Sequence, residues 1–211
     1  MNCKYKLFSK KAFNIFASMK ILIVSATEQE IKGLTHSNID FLVTGIGIPN
    51  SIFNLTAYLH DHKYDLIINI GICGSFKKDY KIGDVVEVIR DEFSEIGYED
   101  DQIFRRFESK FKIPISFTVK KRSFLRSVNG ITVNTVHGTH SSIQKIVNDL
   151  NPDIESMEGA ACMMVAEKLD VKFMQIRSVS NYVETRNRDN WNLDLAIKNL
   201  HKELYNILSI L

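Results

Sequence analysis

LIINIGICG, residues 66–74, is an uncharged run dominated by β-branched isoleucine and punctuated by two glycines. An uninterrupted apolar run of this length is the pattern of a strand buried on both faces; a strand with one wet face would alternate. Five further runs repeat the theme: ILIVSA (21–26), FLVTGIG (41–47), DVVEVIR (84–90), ITVNTV (131–136) and KFMQIRSVS (172–180). Between them lie helical patterns at about 49–62, 101–110, 140–149 and 157–169. A last helix is expected over 190–209, with Trp191, Leu195, Leu200, Leu204 and Leu208 as its apolar face. Buried strands alternating with helices predict a single α/β domain, a mostly parallel mixed sheet with helices on both faces.

In sheets of this kind a ligand site lies beyond the carboxyl ends of the strands. The unusual polar and glycine residues fall at those ends. Glu28 and Glu30 follow the first run, GIG (45–47) the second, GICGS (71–75) the third, HGTH (137–140) the fifth and Asn181 the last.

The rest of the chain narrows the class. Its 211 residues, 45% hydrophobic and 25% charged, suit one globular domain able to bury its own core. A net charge of +2 gives no field that would favour nucleic acid or a membrane surface. No apolar run approaches the ~20 residues of a membrane span. Three cysteines without a CxxC fit a reducing cytoplasm better than a disulfide framework. Residues 1–18 carry four lysines and no acid and read as a basic extension, so the core domain is expected over 19–211.

Each candidate residue has an ordinary explanation beside a functional one. Glu28 reads as an acid favouring a helix N-terminus. Glu30 reads the same way, or as a carboxylate at a strand mouth able to accept a proton from water. The glycines of TGIG, Gly47 among them, and of GICGS, Gly71 with its neighbour Cys73, either make tight turns or let the backbone approach a ligand. Neither stretch is a GxGxxG or a P-loop, so no dinucleotide or triphosphate is implied. In ESMEGAACMMVAEKL (155–169), Gly159, Ala160 and Ala161 let a helix pack closely, with Met164, Val165 and Leu169 extending its apolar face. Glu158 at its start either favours the helix N-terminus or, if buried, needs donors such as the vicinal hydroxyls of a ribose. His137 and His140 are three apart, but with no third ligand pattern a metal is not expected. No organic cofactor is implied either.

Taken in order, MKILIVSATEQE, GIG, NIGICGSFKKDYKIGDVV, SMEGAA and QIRSVSNYV resemble the nucleoside phosphorylase / purine nucleosidase superfamily. Within it, ITVNTVHGTHSSI, DIESMEGAA and RSVSNYVETRNRDNWNLDLAI are similar to the futalosine hydrolases of the futalosine route to menaquinone. The resemblance implies a nucleoside phosphorylase-like fold. It also implies hydrolysis of an N-glycosidic bond through an oxocarbenium-like sugar, releasing hypoxanthine and dehypoxanthine futalosine.

It further implies that Glu30 activates water, Glu158 binds ribose hydroxyls and the Met157 backbone lies against the sugar. Asn181 faces purine N7, and His137 and Gly138 contact the base. Arg186 or Arg188 then pairs with the substrate's distant aromatic carboxylate, or else both are exposed loop arginines. FSEIGYEDDQIF (93–104) looks like a family-specific insertion forming a lid or subunit contact. At least a dimer is expected.

The alternatives are a 6-oxopurine nucleoside phosphorylase, a methylthioadenosine-type nucleosidase and a purine-nucleoside sensor without catalysis. A phosphorylase needs arginines beside its glycine turns, and TGIGIPN and GICGS contain neither Arg nor Lys. Asn181 stands where adenine nucleosidases commonly carry aspartate, which disfavours the second. Retention of both Glu30 and Glu158 disfavours the third. An amide can accept from a protonated N7 and donate to O6, whereas against adenine its NH₂ would meet another donor.

Overall fold

The structure, a computed structural model, describes residues 19–101, 103–107 and 114–211. The basic extension expected at 1–18 lies outside the described residues.

The core begins with β1 (Ile21–Ser25), all five residues buried, followed by a single helical turn, α1 (Glu28–Ile31). β2 (Ile39–Val43) and β3 (Leu66–Ser75) flank β1 in parallel, joined by α2 (Ile48–Asp61). Gly47 precedes α2 at φ +93°, a conformation that favours glycine, and Pro49 sits in the first turn, where its missing N–H costs nothing. β4 (Val85–Phe93) leads into a hairpin of β5 (Gly97–Asp100) and β6 (Ile103–Arg106), then β7 (Ser116–Thr118) and β8 (Arg126–Thr132). α3 (His140–Leu150) starts on a Thr139 cap and ends at Asn151 in the left-handed region. The short β9 (Ile154–Ser156) precedes α4 (Gly159–Lys168), and β10 (Lys172–Tyr182) precedes α5 (Leu193–Leu208).

The main sheet is mixed, as expected, but part of it closes on itself. β3 pairs with β10, β10 with β4, β4 with β8, β8 with β9, and β9 returns to β3. β1 and β2 extend from the first half of β3, and β7 lies on β4. One edge of β3 therefore carries β1 as far as Asn69 and β9 from Gly74 onward. Between those points, among the described residues, no strand pairs with it on that side. The gap is a switch point of the sheet, and the site opens there.

Helices cover both faces. Leu22, Val24 and Ile67 pack under α2 and α4, while the alternate residues Ile21, Ile23, Leu66, Ile68 and Ile70 pack under α5. α4 buries Ala160, Ala161, Cys162, Met163, Val165 and Ala166, its small residues allowing close approach. α5 buries Ala196, Leu200, Leu204 and Ile207. Each large aliphatic side chain so buried contributes roughly 1.5–3 kcal/mol. Among the described residues no helix is long and apolar enough to cross a membrane.

Four expectations need correction. Residues 103–106 form a strand, not part of a helix over 101–110; Arg106 pairs with Glu92 and Arg105 with Asp100, charge matches that favour an extended hairpin. The strand expected at 131–136 runs instead over 126–132, because β4 fixes its register. On α5 the buried face is Ala196, Leu200, Leu204 and Ile207, with Leu195 at 36% exposure, and Asn192 caps the helix by accepting from Leu195 N. On α4, Leu169 is 43% exposed because the helix ends before it.

Candidate active site

A cavity of ≈ 440 Å³ opens at the switch point, within the range typical of small-ligand sites. It brings together Glu30, Cys73, His137, Met157, Glu158, Asn181, Arg186 and Arg188 from six separate stretches of chain. Gly47, Gly71 and Gly138 are not on its wall. They stand behind it and hold residues that are.

Glu30 anchors the start of its own helix and also lines the cavity. Oε2 accepts from Thr27 N (2.9 Å), Ala26 N (3.1 Å) and Thr27 Oγ1 (3.1 Å), closing the start of α1 in the manner of a capping box. Oε1 reaches across the gap in the sheet and accepts from Ile72 N at 3.3 Å. One oxygen is thus a structural anchor and the other faces the cavity side of β3. His201 on α5 lies 2.7 Å from the Glu30 carbonyl through Nε2 and braces α1 from behind. Nothing in the polar sequence around His201 signalled that contact.

Gly71 is required by this arrangement. A Cβ there would stand 2.9 Å from Glu30 Oε1 and 3.6 Å from the Arg177 guanidinium. Arg177, 1% exposed, lies inside β10 as its sequence context implied, yet the missing side chain of Gly71 brings it beside Glu30. Its Nη groups donate to the carbonyls of Asn69 and Ile176 and to Asn69 Oδ1.

Glu158 is the residue before α4, but its side chain does not cap the helix. Oε1 instead accepts from Gly47 N at 2.9 Å, across to the turn after β2. Burial pushes its carboxyl up, opposed by that N–H and by Arg177. Cys73 lines the wall, and burial raises its thiol to about 12, so it offers no thiolate nucleophile at neutral pH.

Asn181 sits beyond a β-bulge. Val179 pairs with Cys73 and Asn181 with Gly74, leaving Ser180 as the extra residue, and the bulge turns Asn181 into the cavity. Its amide is held on both sides: Ser180 Oγ donates to Oδ1 at 2.8 Å, and Nδ2 donates to Tyr182 O at 3.0 Å. One lone pair and one hydrogen remain free in the amide plane.

His137 is less free than a simple stacking surface. Its Nδ1 is 2.6 Å from Glu155 Oε2, its backbone N–H donates to Glu155 Oε1 at 3.1 Å, and its ring meets Phe76 edge-on at 6.0 Å. Glu155 was not singled out from the sequence, where it is one more acid before SMEGAA. It is 4% exposed and lines the cavity beside Asn181.

Gly138 packs against Arg186, whose guanidinium lies 5.4 Å over the Trp191 ring. Arg186 is an exposed loop residue and Arg188 an exposed residue opening a 3-10 turn (Arg188–Asn190); both line the cavity, and among the described residues neither has a carboxylate partner. A second cavity of ≈ 560 Å³ shares Gln29, Arg188, Trp191 and Leu193 with the first, so the cleft continues outward past Arg188.

The chain matches the family described as the Phosphorylase superfamily over residues 27–209. It is 22% identical over 190 residues to the futalosine hydrolase of Thermus thermophilus, covering 84% of each chain. It is 25% identical over 184 residues to a 5′-methylthioadenosine/S-adenosylhomocysteine nucleosidase of Listeria monocytogenes, covering 80% of this chain and 79% of that one. Among solved structures, the futalosine hydrolase of Helicobacter pylori superposes with a TM-score of 0.76 at 18% identity, over 92% of this chain and 98% of that one. At that identity the likeness speaks for the fold.

Proposed function

The chain belongs to the phosphorylase superfamily, and from that premise we propose that it is an N-glycosyl hydrolase that cleaves futalosine, releasing hypoxanthine and dehypoxanthine futalosine. The observation that carries this reading is one cavity holding Glu30, Glu158 and a doubly held Asn181 amide, with two uncompensated arginines at its outer end.

In the proposed reaction Glu30 takes the proton of a water attacking the anomeric carbon, within the 10²–10⁴-fold range of positioned acid–base groups. Glu158 accepts hydrogen bonds from the ribose hydroxyls, and the Met157 backbone lies against the sugar. The Asn181 amide meets N7 and O6 of the base with its free lone pair and hydrogen. Adenine would set NH₂ against NH₂, at about 1–3 kcal/mol for each mismatched buried group. Arg188 and Trp191 receive the aromatic carboxylate in the outward continuation of the cleft, with Arg186 on the inner cavity beside them, a length of site that a methylthio group would leave unfilled.

Water is favoured over phosphate as nucleophile because Arg177, the cation nearest Glu30 across Gly71, is buried within β10 with both Nη groups tied to the Asn69 and Ile176 carbonyls and Asn69 Oδ1. Arg90 is occupied elsewhere, by Ser116 and Glu92. The protein is also proposed to assemble as at least a dimer. Ile46 on the cavity lip and Phe53 on α2 are 56% and 72% exposed, an apolar surface suited to a second copy.

The test is base release from futalosine, inosine and methylthioadenosine, with and without phosphate, resolved by chromatography. Hypoxanthine from futalosine, independent of phosphate, is the expected result. Release from inosine only with phosphate would make the protein a phosphorylase.

A further inference from the structure

An amide cannot protonate a leaving group, so the proposed reaction leaves the departing purine without an acid. We propose that Glu155, held by His137, is the general acid that protonates the purine as it leaves.

The placement comes from three strands. Gly74 on β3 is paired with Glu155 on β9 and with Asn181 on β10. Residues in register on neighbouring strands share a face, so both side chains project over the glycine from opposite sides. A Cβ on Gly74 would lie 2.9 Å from Val183 Cγ2, 3.3 Å from Asn181 Nδ2 and 3.5 Å from Glu155 Cγ, so the three side chains close over the glycine. Asn181 and Glu155 both line the cavity, as does Gly74. The carboxyl that could supply the proton and the amide that could orient the base therefore stand on either side of the same residue of the cavity floor.

The hydrogen bonds suit an acid that must part with its proton. The His137 backbone N–H donates to Glu155 Oε1 at 3.1 Å, and Nδ1 lies 2.6 Å from Oε2, a contact in which the ring donates when Nδ1 carries the proton. Both bonds then strengthen when the carboxylate is left behind. Burial acts the other way and pushes the Glu155 carboxyl up, favouring the acid form before reaction. Glu95 adds to that rise, and His137 opposes it.

The step balances. The C–N bond breaks with its electron pair going to the purine, and the purine takes the Glu155 proton at N7. Water adds to the anomeric carbon and gives its proton to Glu30. Solvent then deprotonates Glu30 and reprotonates Glu155, so one water is consumed and no net proton.

This rests on the hydrolase reading above, and the experiment separates the two. Glu155→Gln and Glu30→Gln are compared with the unaltered protein on inosine or futalosine and on p-nitrophenyl β-D-ribofuranoside, whose leaving group departs without protonation. Glu155→Gln is expected to lose about 100-fold or more in kcat on the nucleoside, with KM little changed, while cleaving the p-nitrophenyl riboside nearly normally. Glu30→Gln should lose both. Retained p-nitrophenyl activity also shows that the variant is folded.

Equal loss on both substrates, or loss on neither, would overturn the assignment. If the unaltered protein releases no hypoxanthine, the functional reading itself fails, and this inference with it.

Discussion

Glu155 and Asn181 face each other across Gly74, each in register with the same glycine from a different neighbouring strand. A carboxyl and an amide are thereby brought to one cavity floor by strand pairing and held there by His137 on one side and by Ser180 and Tyr182 on the other. Glu30 reaches the same strand two residues before Gly74, its Oε1 on Ile72 N. The proposed acid–base division of labour is thus laid out along β3.

Glu30→Gln should lower kcat by at least about 100-fold while nucleoside binding persists. Trp191 is the only tryptophan and lines the cavity, so its fluorescence on titration with nucleoside reports binding without turnover. Normal turnover in the variant would remove Glu30 from the mechanism.

Asn181→Asp should shift base preference toward adenine. Replacing the NH₂ donor by an acceptor suits an exocyclic amine and opposes O6, a change of about 1–3 kcal/mol, or roughly tenfold or more in the ratio of kcat/KM values. A ratio that stays put on inosine and adenosine contradicts the reading of the amide.

Gly71→Ala should damage activity more than stability. The added methyl meets Glu30 Oε1 at 2.9 Å, and that carboxylate cannot simply swing away because Oε2 is held by three donors. The expected result is a kcat loss of about tenfold or more with a Tm shift of only a few degrees. A large Tm drop with kcat intact would assign Gly71 to packing.

Arg186→Ala combined with Arg188→Ala should raise KM for a nucleoside with an anionic 5′ aromatic group by about tenfold and leave KM for inosine unchanged. The contrast between the two substrates is the measurement. Parallel increases would mean the loop shapes the cavity as a whole.

Asp91 sets a pH dependence of stability. It is fully buried, and desolvation raises its carboxyl from 3.8 to about 6 despite donors from Gln175 and Thr132. Between those values the folded state holds the proton and the unfolded state has lost it. Stability from this group therefore falls as pH rises from about 4 to 6, by on the order of 3 kcal/mol, and is level above. Urea midpoints across that range should show the slope, and Asp91→Asn should flatten it.

The layers of the fold were legible because a strand buried on both faces must be apolar throughout, as in residues 66–74. The same rule located Glu30 and Asn181 at strand ends, Glu158 stood out at the start of an apolar helix, and the structure brings these three to one cavity. The 103–106 strand was misread because its pairing is set by partners in β5 and by ion pairs, not by local periodicity. Glu155 was passed over because β9 is three residues long, too short to show any period of its own.

By itself, then, the sequence determined which segments must hide from water and which residue types stand at their ends. Hydrophobic burial is local and repetitive, and it leaves its mark on composition and spacing. Only the tertiary structure decided that β3 changes neighbours between Asn69 and Gly74 and that one extra residue at Ser180 turns Asn181 toward Glu155. Those choices depend on hydrogen-bond register between strands far apart in the chain. A shift of one residue reverses the face a side chain occupies, and no local pattern encodes it.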